Sequence, residues 1–349
     1  MRPHITFFCE LDPSALMALF NTPGLIEELA AQNYGVALAI LDFSAERAAV
    51  VRCLNQAGVR LNAWLLLPPE DGYWFNLRNY PQALARYHAF REWATAEQLH
   101  FEAVGLDIEP SLADFQAARQ RGIRHLLDRA YLAQQDALYP AARDAYYDLV
   151  AHIRHDGYQA HTYQYPFIID DRRAGTTLIQ RLLDIIDLPA DQEVVMLYSS
   201  LMIAGLLGSD VSGAFVRSYA PHADGIAVGV TGGGVVLDPI TGAQAPRLTF
   251  SAFQRDLRIA AQYTESVHIF SLEGCVARDW LPRIAALNWD APAPVPPLAA
   301  VQMQLLRSLI GFGLWLSRYG WAALGWSGWI VAGGMLLARV LQRWRTRRA

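Results

Sequence analysis

Phe101-Glu102-Ala103-Val104-Gly105-Leu106-Asp107-Ile108-Glu109-Pro110 is short, extended in character and two-faced. Side chains alternate across an extended chain, so Ala103, Gly105, Asp107 and Glu109 share one face and Val104, Leu106 and Ile108 the other. One face is small and then acidic; the other is apolar. Such a strand suits a parallel sheet with helices on its apolar face and a crowded interior on its small face. Pro110 has no N–H for a ladder, so the strand ends there and delivers two carboxylates at its C-terminal end.

Outward from this stretch, extended and helical patterns alternate over the first 290 residues. The extended runs are Ile5 to Glu10, Gly35 to Asp42, Arg60 to Leu67, the stretch above, Gln159 to Pro166, Glu193 to Ser199, Gly225 to Val230 and Val267 to Leu272. Helices are expected at Ala15 to Gln32 (interrupted near Pro23), Ser44 to Gln56, Pro81 to Gln98, Leu112 to His155 (broken near Pro140), Thr176 to Asp187 and Phe250 to Tyr263. Pro68 to Asn76 is a loop rich in aromatic residues, and Thr231-Gly232-Gly233-Gly234 opens a glycine-rich excursion continuing from Asp238 to Pro246. Eight strands with helices between them predict an α/β chain closed as a (β/α)8 barrel over residues 1–290, a fold that commonly takes about 250 residues as one domain. No Gly-x-Gly-x-x-Gly follows the first strand, which argues against a dinucleotide-binding sheet.

A proline-rich linker, 291–298, separates this body from a C-terminal segment, 299–349, of different composition. All 29 basic residues are arginine; the last fifty residues hold seven of them and no acid, leaving 22 against 33 acids in residues 1–299, a net of −11. The body has no basic stripe, so a nucleic-acid partner is not expected. Trp321 to Ala338 is an uncharged apolar run of 18 residues between Arg318 and Arg339, close to the ~20 that cross a bilayer. The expected partner of this segment is the lipid bilayer, with tryptophans at the interfaces and the arginine-rich end in the cytoplasm. Leu298 to Ser317 is either a first span, paired as a hairpin through Arg318-Tyr319-Gly320, or an amphipathic helix. A hairpin keeps the barrel on the cytoplasmic face, the expectation adopted; a single span puts it on the other. Met1 to Glu10 has too short an apolar run for a signal peptide. Cys9, Cys53 and Cys275 fit no metal or disulfide spacing and are expected as buried thiols.

In a (β/α)8 barrel the C-terminal strand ends carry the site, which singles out Glu10, Asp42, Asp107, Glu109 and Glu273 among the acids. Crowded, buried carboxylates keep a proton to higher pH and can donate it to a leaving oxygen. That is the outline of glycoside hydrolysis by a carboxyl pair. Glu273 could be the second carboxylate, as nucleophile or as base. Tyr73, Trp74, Tyr163, Gln164 and Tyr165 are candidates for holding a sugar, by stacking and by amide hydrogen bonds. His161 and His268 lack ligand spacing, and no cofactor or metal is expected.

Gly105-Leu106-Asp107-Ile108-Glu109 resembles the fourth-strand motif of chitinase-like glycoside hydrolases, and Met196-Leu197-Tyr198 resembles their Met-x-Tyr motif on strand six. The resemblance implies that Glu109 protonates the glycosidic oxygen, that Asp107 tunes it and that Tyr198 faces the sugar. The chain departs from the pattern at Glu102 and Gly105, where the family has aspartates, and at Ser199. The expectation is a membrane-tethered, glycosidase-like barrel acting on a carbohydrate. Its alternatives are a catalytically silent barrel that binds sugar or a protein at the membrane, and a metal-dependent barrel enzyme.

Overall fold

The computed structural model describes residues 2–111, 114, 121, 129, 137–201, 211–234 and 246–346. Eight parallel strands close in chain order: β1 (His4–Cys9), β2 (Gly35–Ile40), β3 (Arg60–Leu65), β4 (Ala103–Ile108), β5 (Gln159–Gln164), β6 (Gln192–Met196), β7 (Gly225–Gly229) and β8 (Ser266–Phe270). β1 pairs with β8 in parallel, Phe8 opposite Phe270, which completes the barrel.

The outward side chains of the strands join the helix ring in one apolar core, and a second, smaller cluster fills the interior. Interior sizes alternate: large Phe8, Trp64 and Tyr163 on β1, β3 and β5, small Ala37, Ala39 and Gly105 on β2 and β4. Rings from alternate strands thus fill the space that the intervening strands leave open. Phe8 and Tyr163 meet edge to face at 4.7 Å, Phe8 and Trp64 at 5.0 Å.

Helices begin where polar caps meet apolar periodicity. Asp12 accepts from the Ala15 N–H at 2.9 Å with Pro13 at the first position, and Ser44 and Thr249 cap Ala45–Gln56 and Phe250–Ala260. The expected helix from Leu112 to His155 is described in its second half, Leu138–His155; the first half lies largely outside the described residues, as does the excursion from Asp238 to 245. The helix expected at Thr176 to Asp187 is the short Leu178–Leu183, preceded by an unforeseen Ile168–Ala174 that stops at Gly175 (φ 63°). Cys9 and Cys275 are buried, but Cys53 is exposed. It lies on the solvent face of Ala45–Gln56, whose Ala48, Val51 and Leu54 point to the core.

Past the proline-rich linker a single helix runs from Pro297 to Thr346. It continues unbroken through Arg318-Tyr319-Gly320, so the hairpin does not form. The reason is tertiary: Ala299, Met303 and Leu314 are buried along one side of its first half. On that side Arg307 makes an ion pair with Asp170 at 2.7 Å, with side chains only 9% and 5% exposed, and Arg318 donates to the Gly175 carbonyl at 2.5 Å. Pro297–Gly320 is long and apolar enough by length and composition to cross a membrane, with a mean hydropathy of 1.2.

Candidate functional site

β4 delivers Asp107 and Glu109 to the C-terminal mouth, and the aromatic loop after β3 holds them there. Phe75 bridges to Ile108: its N–H donates to the Asp107 carbonyl and its carbonyl accepts from the Glu109 N–H, both at 3.0 Å. The loop is braced by buried Asn79, whose amide donates to the Trp74 carbonyl at 2.8 Å and the Asp71 carbonyl at 2.9 Å. Trp74 thereby becomes a wall of the mouth.

The mouth is a cleft of ≈ 90 Å³. Its polar lining is Glu10, Asp107 and Glu109, and its apolar walls include Trp64, Trp74, Tyr165 and Tyr198. Trp64 Nε1 donates to Asp107 Oδ2 at 3.0 Å, and Asp107 Oδ1 is buried beside the Glu109 carboxyl. Burial pushes Asp107 up to about 7, against the indole N–H and the neighbouring Glu109 carboxyl, which favour its anion. Burial also drives Glu109 well above the ordinary carboxylate range, and the charges of Asp107 and Glu10 raise it further. Glu10 accepts from the Tyr73 hydroxyl, and Tyr73 is raised by burial and by Glu10. Tyr198 and Tyr165 line the same cleft as the acid pair, and both are likewise raised, first by burial and then by Asp107 and Glu109.

Not every candidate reaches the cleft. Gln164 falls between Tyr163 and Tyr165 on β5 and points out of the barrel, donating to the Ile186 carbonyl at 3.1 Å. Strand alternation alone would have placed it there. Asp42 pairs with the fully buried Arg47 at 2.8 Å and accepts from the Ser44 N–H. It anchors the β2 loop and does not line the cleft. Glu273 sits beneath the glycine loop: a Cβ on Gly233 would lie 2.6 Å from its Cγ, and Gly233 has φ +79°. Its carboxylate oxygens are buried, and burial pushes it up to about 7 against the Ser271 hydroxyl and nearby backbone N–H groups, which favour its anion. Gly234 (φ +81°) also packs down, its would-be Cβ 2.8 Å from Phe270 and 3.0 Å from Glu10.

Tyr163 lies one layer below the carboxylates. It occupies the room left by Gly105, where a Cβ would be 2.5 and 2.6 Å from its Cε2 and Cζ. The place of the absent family aspartate is thus filled by a tyrosine ring. Trp64 was not among the residues expected at the site, though its inward parity on β3 was an available signal; its register opposite Gly105 is set only by strand pairing. His161 and His268, lowered by burial to about 4 and about 3, lie toward the opposite pole. A larger cavity of ≈ 420 Å³ opens there, lined by Thr6, Arg60, Asn62 and His161 among others. It sits at the N-terminal strand ends, away from where barrel chemistry is assembled. Among the described residues no group of three or more His, Cys, Asp or Glu is arranged to hold a metal ion.

No protein-family model and no curated protein matches this chain. Among solved structures it is similar to the glycoside hydrolase domain of PgaB (BpsB) from Bordetella bronchiseptica, at 12% identity and TM-score 0.49 over 82% of this chain and 99% of that one. It is also similar to a GH18 chitinase from Pseudoalteromonas aurantia (12%, TM-score 0.46, 81% and 99%). A third likeness is the D-allulose 3-epimerase of a Methylomonas species (10%, TM-score 0.42, 88% and 98%). At such identities and scores, the side chains at the mouth alone bear on what the site does.

Proposed function

We propose that this chain is a membrane-tethered glycosidase-like barrel in which Glu109 is the general acid. The observation that carries the proposal is the carboxyl pair at the end of β4, Asp107 buried and Glu109 half-buried, facing an aromatic cleft, with Glu109 driven well above the ordinary carboxylate range. Glu109 donates its proton to the glycosidic oxygen as the bond to the anomeric carbon breaks; water then forms the new bond to that carbon and returns a proton to the Glu109 carboxylate. Asp107, held by the Trp64 N–H, accepts the hydrogen bond of the acid, and its charge keeps the proton on Glu109 until the glycosidic oxygen takes it. Glu10 is the second carboxylate, offsetting positive charge on the sugar, and Glu273 is excluded from that role by the glycine loop above it. Trp74 and Tyr165 offer faces on which a pyranose stacks.

Full-length protein is assayed against aryl glycosides and short oligosaccharides, beside Glu109→Gln. Turnover by the parent and a loss on the order of 10² or more in the variant is expected for removal of a general acid. Activity should fall as pH rises through the raised pKa of Glu109, because the deprotonated acid cannot donate. Equal inertness of two folded proteins would remove catalysis from the proposal.

A barrel that binds without turnover is the second reading, favoured by Gly105, where the chitinase-like pattern has an aspartate and this chain packs the Tyr163 ring instead. Carbohydrate binding that survives Glu109→Gln, with no hydrolysis in either form, identifies it.

The tether is assigned to Trp321–Ala338. Pro297–Gly320 meets the length criterion, but one of its sides is committed to the barrel through Arg307 and Asp170. With the helix unbroken, barrel and arginine-rich end lie on opposite sides of the membrane. The positive-inside tendency then places the barrel on the non-cytoplasmic face. Protease added to intact cells should digest the barrel; full protection would reverse this orientation.

A further inference from the structure

The first half of the C-terminal helix has a second face that none of the other described residues covers. Leu298, Val301, Leu305, Leu309, Phe312 and Leu316 are 47–68% exposed. With Tyr319 they make six steps over 21 residues, a mean of 3.5 per step, the period at which a seam keeps facing a partner helix. At about 100° per residue this stripe centres opposite the side docked on the barrel by Ala299, Met303 and Arg307. An apolar strip of this size is larger than monomeric proteins usually leave open to water.

The bilayer cannot cover it if Trp321–Ala338 is the span, and the inference rests on that part of the proposed function. A continuous helix cannot lie on the membrane and cross it. Its first 24 residues then stand about 36 Å out into water at 1.5 Å per residue. We infer that the stripe from Leu298 to Tyr319 is the seam of a parallel two-stranded coiled coil with the same helix of a second copy. Insertion in one direction makes the helices parallel. The barrels, docked on the far side, point away from each other. Between Leu298 and Tyr319 the charged residues are Arg307 and Arg318, both on the barrel side, the first paired with Asp170 and the second donating to the Gly175 carbonyl, so pairing along the seam buries no charge.

The test uses the full chain in membranes, with exposed Cys53 changed to serine; Cys9 and Cys275 are buried. Single cysteines replace Leu305, Leu309 or Phe312 on the stripe, and Gln304 or Ser317 beside it. Oxidation is expected to cross-link the three stripe positions at least ten times more than the other two. Leu305→Glu with Phe312→Glu should abolish energy transfer between differently labelled copies. Alkaline carbonate washing, read in parallel, reports the span independently: release into the wash refutes the tether, whatever the cross-links show. Uniform or absent cross-linking in a chain that stays in the membrane overturns the seam. Quenching of a probe at Leu309 by lipids with brominated chains also overturns it, because the stripe would then face the bilayer.

Discussion

Gly105→Ala would insert a methyl group 2.5 and 2.6 Å from two ring atoms of Tyr163, distances that side-chain carbons do not adopt. The ring has little room to retreat. It is fully buried, with Phe8 at 4.7 Å, His268 at 6.2 Å and Trp64 at 6.3 Å between centroids. Overpacking of this kind costs about 1–3 kcal/mol, and the walled-in ring argues for the upper half. Tyr163→Ala removes the obstacle but leaves a cavity, at a cost of about 3–5 kcal/mol by analogy with other aromatic truncations. In the double variant the alanine at 105 should cost little, so the combined loss should fall short of the sum by about 1–3 kcal/mol. Urea unfolding of the purified full chain, followed by tryptophan fluorescence for the parent, both single variants and the double variant, measures that difference. Losses that add to within about 0.5 kcal/mol would refute the idea that Gly105 exists to admit Tyr163.

Trp64→Phe removes the donor to Asp107 and should raise its pKa by about 1–2 units, taking about 1.5–3 kcal/mol for a hydrogen bond to a charged group. The acid limb of the activity profile should move up by that amount; an unmoved limb means the indole packs without tuning. Glu273 is pushed up to about 7 against an unfolded value near 4.5, so its contribution to stability is full below the unfolded value and lost as pH rises through 7. Glu273→Gln should flatten up to about 3 kcal/mol of that loss in pH-dependent unfolding, and a curve parallel to the parent's would count against it. Arg307→Ala leaves Asp170 buried beside only the Tyr219 hydroxyl at 2.6 Å, a loss of about 3–5 kcal/mol at the docked helix. Faster proteolysis within residues 291–298 should report the helix leaving the barrel, and an unchanged cleavage rate would show that the apolar contacts alone hold it.

The alternation of small, acidic and apolar residues from Ala103 to Glu109 was enough to turn both carboxylates inward, because a strand has a fixed period of two. The same period puts Gln164 outside between Tyr163 and Tyr165, so that placement was legible too. The order of eight strands also followed from local pattern. What joins distant segments did not. Trp64 meets Asp107 through the register of β3 against β4, which depends on closure of the whole barrel. Glu273 looks like a mouth acid along the chain, yet the glycines 233 and 234 lie between it and the cleft because only they can take a left-handed backbone in so little space. Arg318-Tyr319-Gly320 could turn or continue, and the choice fell to Arg307, whose buried partner Asp170 lies 137 residues away. Local sequence sets the faces of an element; which face meets which depends on the packing of elements that are far apart in the chain.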